Sequence, residues 1–190
     1  VINAVEYIHQ LRQSADLGTL SVGQNVVVIG GGMTAIDIAI QIKRLGAPNV
    51  TMAYRRGKQQ MNASLEEQEF ALNEGVHIAH WAQPVSLQTE HGDITGVEFK
   101  TANIEGGETY VLPTEMLFKA IGQNLTASNM GTIECVKSYG KYEVDKHLRT
   151  SQPGIWAGGD CVAGNDGLAV SAVQDGKLAA LSIHHTLTQS

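Results

Sequence analysis

The chain has 190 residues with a formal net charge of -6, 43% hydrophobic and 17% charged residues, and 4 prolines. This is the composition of a globular protein with a proper core, not of a disordered one. The longest basic run, Arg55-Arg56 followed by Lys58, gives no electrostatic footprint for nucleic acid. No apolar run reaches the roughly 18 residues of a membrane span, and no signal-like sequence opens the chain, so a soluble, cytoplasmic protein is expected. The 2 cysteines, Cys135 and Cys161, form no Cys-x-x-Cys and have no histidine at ligand spacing, so they read as reduced and structural.

Apolar residues at Val1, Val5, Ile8 and Leu11 recur at helical spacing and predict an amphipathic helix over 1–15 with no clear N-cap. The turn residues Gly18 and Gly23 lead into Val26 to Ile29. This β-branched run lacks alternation, as a strand buried on both faces of a parallel sheet does. A helix is predicted from Met33 to Leu45, with Gly46 ending it, and a strand from Asn49 to Tyr54. Ser64 and Glu67 stand at capping-box spacing, so the next helix covers Leu65 to Asn73 with Leu65 and Leu72 on one face. Val76 to His80 is the third strand of this βαβαβ unit.

The period then changes to antiparallel β over 85–89, 94–101 and 109–112, with glycines at the turns. Met116 to Ile121 is again a buried strand, ending at Gly122. Residues 123–140 suggest loop and a short helix. Short strands follow at 142–144 and 155–157, and a last helix runs from about Leu168 to Thr186. The fold class is therefore α/β. Residues 1–22 are a connecting helix and linker, 23–122 a Rossmann-like nucleotide-binding domain with an antiparallel meander, and 123–190 part of a second domain.

Chemistry concentrates in three places. Gly30-Gly31-Gly32-Met33-Thr34-Ala35 is a G-x-G-x-x-A element between a strand and a helix. Gly30 permits the tight turn, Gly32 lets backbone approach a pyrophosphate, and Ala35 lets the helix pack closely. The free N–H groups and dipole of the helix start favour the phosphates. Arg55 and Arg56 end the following strand, where an acidic residue would hold a ribose 2′-OH. Guanidinium groups match phosphate geometry, which points toward NADPH, with NADH the alternative. The third is Ile155-Trp156-Ala157-Gly158-Gly159-Asp160, followed by Gly167 and a helix start. It reads either as a second site for a polar ligand or as a loop with a capping aspartate.

Ile155 to Asp160 resembles the second FAD motif of two-dinucleotide-fold flavoproteins, and Ala120-Ile121-Gly122 resembles the motif where their chain returns to the FAD domain. Val28 to Asp37, Val50 to Arg56 and Gly158 to Gly164 are similar to the glutamate synthase small subunit and the electron-input part of dihydropyrimidine dehydrogenase. Met61-Asn62-Ala63-Ser64 departs from the Met-Pro usual there. The resemblance implies that the second domain is the carboxy-terminal portion of an FAD-binding domain. Asp160 would bind the ribityl or pyrophosphate region of FAD, and Leu168, Ala169 and Val170 would face the isoalloxazine ring.

It further implies hydride transfer from NAD(P)H to FAD, then electron transfer through iron–sulfur clusters to a partner subunit or domain. Those enzymes open with their own FAD fingerprint and cysteine clusters, so the chain reads as an internal-to-C-terminal segment. Such a segment is expected to bind pyridine nucleotide but to be inactive alone. No catalytic acid or base and no metal site is expected, since hydride transfer between cofactors needs orientation above all. A disulfide reductase is disfavoured by the missing Cys-x-x-Cys. A single-Rossmann dehydrogenase and a non-catalytic dinucleotide-binding redox sensor stay open.

Overall fold

Val26, Val27 and Val28 are each no more than 2% exposed, which a strand achieves only in a sheet covered on both faces. In the computed structural model, which describes residues 1–123 and 134–188, that sheet belongs to the first of two units, Val1–Gly122 and Gln123–Ser190. The first unit runs β1 (Ile2–Asn3), α1 (Ala4–Gln13), β2 (Asn25–Ile29), α2 (Met33–Arg44), β3 (Asn49–Tyr54), α3 (Leu65–Asn73) and β4 (His77–His80). It continues through β5 (Ala82–Glu90), β6 (Asp93–Thr101) and β7 (Thr109–Pro113) to β8 (Met116–Lys119).

The main sheet has the order β1-β8-β2-β3-β4, and every pairing in it is parallel. Strands β5, β6 and β7 form a separate antiparallel sheet. The α/β plan expected from the sequence is the plan observed. Alternation along each parallel strand explains the double burial. Val26, Val28, Met52 and Phe118 pack with α1 and α2 on one face. Val27, Ala53 and Leu117 pack against Val97 and Phe99 of the meander on the other.

Several local expectations are corrected. The first helix does not begin at Val1, because Ile2 and Asn3 pair in parallel with Phe118 and Lys119. Asn3 is the missing N-cap, its side chain accepting from the Val5 N–H at 3.0 Å. The buried face of α1 is Ala4 and Tyr7, while Val1 and Val5 are exposed. Tyr7 meets the Phe118 ring edge-on, with centroids 5.1 Å apart.

The α3 capping box forms as expected, with Ser64 and Glu67 exchanging hydrogen bonds. Its buried residues, however, are Gln68 and Ala71, and Leu65 and Leu72 lie exposed. The β8 strand stops at Lys119, leaving Ile121 67% exposed.

In the second unit, β9 (Lys137–Ser138) and β10 (Lys141–Tyr142) make a two-residue antiparallel pair. Residues 155–157 are not a strand; Trp156 makes a single bridge to Arg149. Strand β10 likewise ends before residues 143 and 144. The loop and short helix expected over 123–140 fall mostly outside the described residues. The last helix, α4 (Ala169–Thr188), is anchored by the Trp156 Nε1–H donating to Ser182 Oγ at 2.9 Å.

Candidate functional site

Three loops leave the carboxyl ends of neighbouring parallel strands: 30–32 after β2, 55–64 after β3 and 120–122 after β8. In an open α/β sheet, ligands bind at this edge, where the chain turns off in different directions. The strand order places β2 between β8 and β3, so the glycine turn sits centrally.

Gly30 has φ +155, and a Cβ there would lie 2.3 Å from the Ala120 carbonyl oxygen. Its N–H donates to the Ala53 carbonyl at 3.1 Å. Only glycine fits. Gly31 is covered by the Tyr54 ring, which would stand 2.4 Å from an added Cβ, and its carbonyl accepts from Ala63 N–H at 3.1 Å. Gly32 differs. A Cβ there would meet nothing nearer than Asn62 Cβ at 4.0 Å, so the protein's own packing does not demand a glycine.

Gly32 is also the N-cap of α2 and offers no side chain to it. Ala35 and Ile36 N–H groups bond back to the Gly32 carbonyl. Among the described residues, the N–H groups of Gly31, Gly32, Met33 and Thr34 have no hydrogen-bond acceptor. Ala35 itself is fully buried, which seats the helix close to the strand. Unpaired donors at the positive end of a helix dipole, beside a glycine whose open side faces away from protein, suit an anion such as a diphosphate.

Arg55 and Arg56 are both exposed at the end of β3, with no ion pair among the described residues. No acidic residue stands at that strand end. Beside them, His80 is the register partner of Tyr54, and its Nε2 is buried without a partner among the described residues. Burial holds its imidazole below the usual histidine value, with Lys58 and His77 adding repulsion.

The fold therefore favours neutral His80. Its contribution is complete above the ordinary histidine pKa of 6.5 and is lost as pH falls below that value. Thermal stability is expected to fall as pH drops below 6.5, and His80→Gln should flatten that decline. An unchanged slope in the variant would assign the effect elsewhere.

Gly122, φ +110, is exposed, with nothing near its Cβ direction.

In the second unit, Gly159, at φ +72, opens a short 3₁₀ turn through Cys161. The Asp160 carboxylate is exposed and has no hydrogen bond among the described residues. Sequence reasoning left Asp175 without a role. It lies on α4, where its Oδ2 accepts from the Gly159 N–H at 2.8 Å and from Asn165 Nδ2 at 3.0 Å. Asn165 Oδ1 in turn accepts from Gly167 N–H. Gly158 is required by the same contact, since a Cβ there would be 2.7 Å from Asp175 Cβ. The signal in the sequence was Asp-Gly inside a helix, which propensity disfavours.

Asp166 caps the start of α4, accepting from Leu168 N–H at 3.1 Å and Ser171 Oγ at 3.0 Å. The hydroxyl of Ser171 and the Leu168 N–H hold its carboxyl below the usual carboxylate range. Leu168, Ala169 and Val170 are all exposed. A carboxylate already seated there leaves no place for a phosphate at this helix end, whereas a neutral, hydrogen-bonding ring edge is compatible. Nearby, Leu148, Val162, Asn165, Asp166 and Asp175 line a shallow depression of about 290 Å³.

Among the described residues no group of three or more metal-binding side chains converges, and no helix is long and apolar enough to cross a membrane. Cys135 and Cys161 are both free.

The chain is 33% identical over 186 residues to the Escherichia coli glutamate synthase [NADPH] small chain, covering 87% of this chain and 39% of that protein. It is 33% identical over 190 residues to the Salmonella typhimurium NAD-dependent dihydropyrimidine dehydrogenase subunit PreT, covering 98% of this chain and 42% of that protein. The resemblance read from the motifs is thus borne out, and the chain spans 39% and 42% of the length of these two relatives.

Among solved structures, T. acidophilum thioredoxin reductase superposes with a TM-score of 0.79 at 28% identity, covering 90% of this chain and 55% of that one. Residues 2–176 match the model of the pyridine nucleotide-disulphide oxidoreductase family. The chain belongs to the pyridine nucleotide-disulphide oxidoreductase family, whose members bind FAD and NAD(P)H.

Proposed function

We propose that residues 23–122 bind NADPH, and that residues 123–190 contribute the carboxy-terminal part of an FAD site in the same flavoprotein. The observation that carries this reading is the set of unpaired N–H groups from Gly31 to Thr34 beside the open face of Gly32. They would hold the diphosphate of the coenzyme, while Arg55 and Arg56 hold its 2′-phosphate. The residues of the second unit fit a flavin: an unengaged Asp160 carboxylate for ribityl hydroxyls, and the exposed Leu168 to Val170 turn for the ring.

FAD, when bound, accepts a hydride from the nicotinamide and can pass electrons on singly. The protein's own residues contribute binding and orientation, and none is assigned to acid or base chemistry. In the full-length protein we assign the onward path to iron–sulfur clusters and an electron-accepting partner subunit or domain. The two relatives above support a redox chain of this kind, and their names divide between NADPH and NAD, so the coenzyme choice rests on Arg55 and Arg56. A disulfide substrate is disfavoured because the sequence supplies no Cys-x-x-Cys. The 190-residue segment by itself is expected to bind coenzyme without flavin or turnover; a stoichiometrically yellow preparation would contradict that.

The test is separate titration of NADPH and NADH. Charged hydrogen bonds are worth about 1.5–3 kcal/mol, so Arg55→Ala with Arg56→Ala should weaken NADPH by tenfold or more (about 1.4 kcal/mol per decade) and leave NADH nearly unchanged. Equal affinities of the unmodified protein for the two would remove the 2′-phosphate reading.

A further inference from the structure

The loop that carries the two arginines is held in place far more firmly than an exposed loop requires. Trp81 N–H donates to the Arg56 carbonyl at 3.0 Å, and the Trp81 ring lies against Gly57, 2.7 Å from where a Cβ would stand. The Gly57 N–H donates to the Gln60 side-chain oxygen at 3.0 Å. The Tyr54 hydroxyl donates to the Gln60 carbonyl at 2.5 Å, while the Tyr54 ring covers Gly31. At the far end, Ala63 N–H bonds to the Gly31 carbonyl, and the Gln68 amide donates to the Ala63 carbonyl at 2.9 Å and to the Lys58 carbonyl at 3.4 Å.

Gln68 is the unexpected member. It is 2% exposed, and its Oε1 is buried with no partner among the described residues. An unmade buried acceptor costs stability, and a leucine of similar size would bury there without that cost. What only the amide supplies is a pair of donor hydrogens, both spent on main-chain oxygens of the 55–64 loop. Through the Ala63 peptide, those bonds connect α3 to the glycine turn. Gln60 makes the second link, through Gly57 on one side and Tyr54 on the other.

We propose that Gln68 and Gln60 are positioning residues that fix the Arg55–Arg56 strand end against the glycine turn, and so set the preference for a coenzyme carrying a 2′-phosphate. The inference rests on the NADPH reading given above. The donors at Gly31 to Thr34 would meet the diphosphate common to both coenzymes, whereas the arginines would meet only the 2′-phosphate. Loosening the loop bears far less on the first contact, whose donors at Met33 and Thr34 are held by α2 itself. It makes the second pay for ordering the loop at each binding event.

The experiment is equilibrium titration of the full-length protein with NADPH, NADH, 2′,5′-ADP and 5′-ADP, using Gln68→Leu and the exposed-site variant Gln60→Ala. Loss of one or two loop hydrogen bonds is expected to weaken NADPH and 2′,5′-ADP by roughly tenfold. NADH and 5′-ADP should change less than about threefold on the same reasoning. If Gln68→Leu does not fold, Gln60→Ala carries the test alone.

A fall in melting temperature with an unchanged NADPH-to-NADH ratio would overturn the positioning role and leave the coenzyme reading standing, provided Arg55→Ala and Arg56→Ala still shift that ratio. If the parent protein binds the two coenzymes equally, the NADPH reading fails and this inference fails with it.

Discussion

Gly32→Ala is expected to keep the melting temperature within about 2 °C of the parent, since an unstrained substitution into open space costs little, while weakening pyridine nucleotide binding at least tenfold. The backbone at Gly32 has φ -105, which any residue adopts, and the space around its missing side chain is open. A methyl group there would instead occupy the volume where a diphosphate must approach the N–H groups of Met33 and Thr34. Gly30→Ala should behave in the opposite way. Its Cβ would collide with the Ala120 carbonyl at 2.3 Å, so destabilisation should precede any effect on binding. Gly31→Ala should also destabilise, but here the obstacle is the Tyr54 ring, and a companion Tyr54→Ala should restore folding. Calorimetry with and without NADPH separates these cases. A Gly32→Ala protein that binds coenzyme normally would refute the diphosphate site.

The contrast among these three glycines also shows what the sequence could and could not reveal. Strand β2, the turn and α2 were legible because each residue there satisfies a local rule: β-branched residues through the doubly covered strand, glycine at positive φ, alanine at the close contact. Strand β3 and helix α3 were legible for the same reason, down to the capping pair Ser64 and Glu67.

The failures came where a distant partner decides. Ile2 and Asn3 become a strand because β8 lies beside them, and nothing within the first fifteen residues reports that. Leu65 and Leu72 face solvent and Gln68 faces inward because the loop carbonyls of Lys58 and Ala63 need donors. A hydrophobic pattern cannot express that demand. Asp175 is the same kind of case, a helical carboxylate whose purpose lies in a loop some 16 residues earlier.

That carboxylate gives the second large expected effect. Asp175→Ala removes the acceptor that Gly159 N–H and Asn165 Nδ2 share, and leaving partly buried donors unpaired costs about 1–3 kcal/mol. The loop holding Asp160 and the loop leading into α4 would both lose their tie to the helix. In the full-length protein the expected result is loss of most bound flavin, with a lower melting temperature. Asp175→Asn keeps one oxygen to accept from Gly159 but gives up the charge, so flavin content should fall to an intermediate level. Asp160→Ala provides the needed comparison, because Asp160 makes no hydrogen bond among the described residues. It should weaken flavin retention with little change in the stability of the flavin-free protein. The readouts are absorbance at the flavin band after gel filtration and melting of the stripped protein. If Asp175→Ala retained full flavin while unfolding earlier, the tie would serve the fold alone. If Asp160→Ala retained it as well, the second unit would not hold a flavin in the manner described.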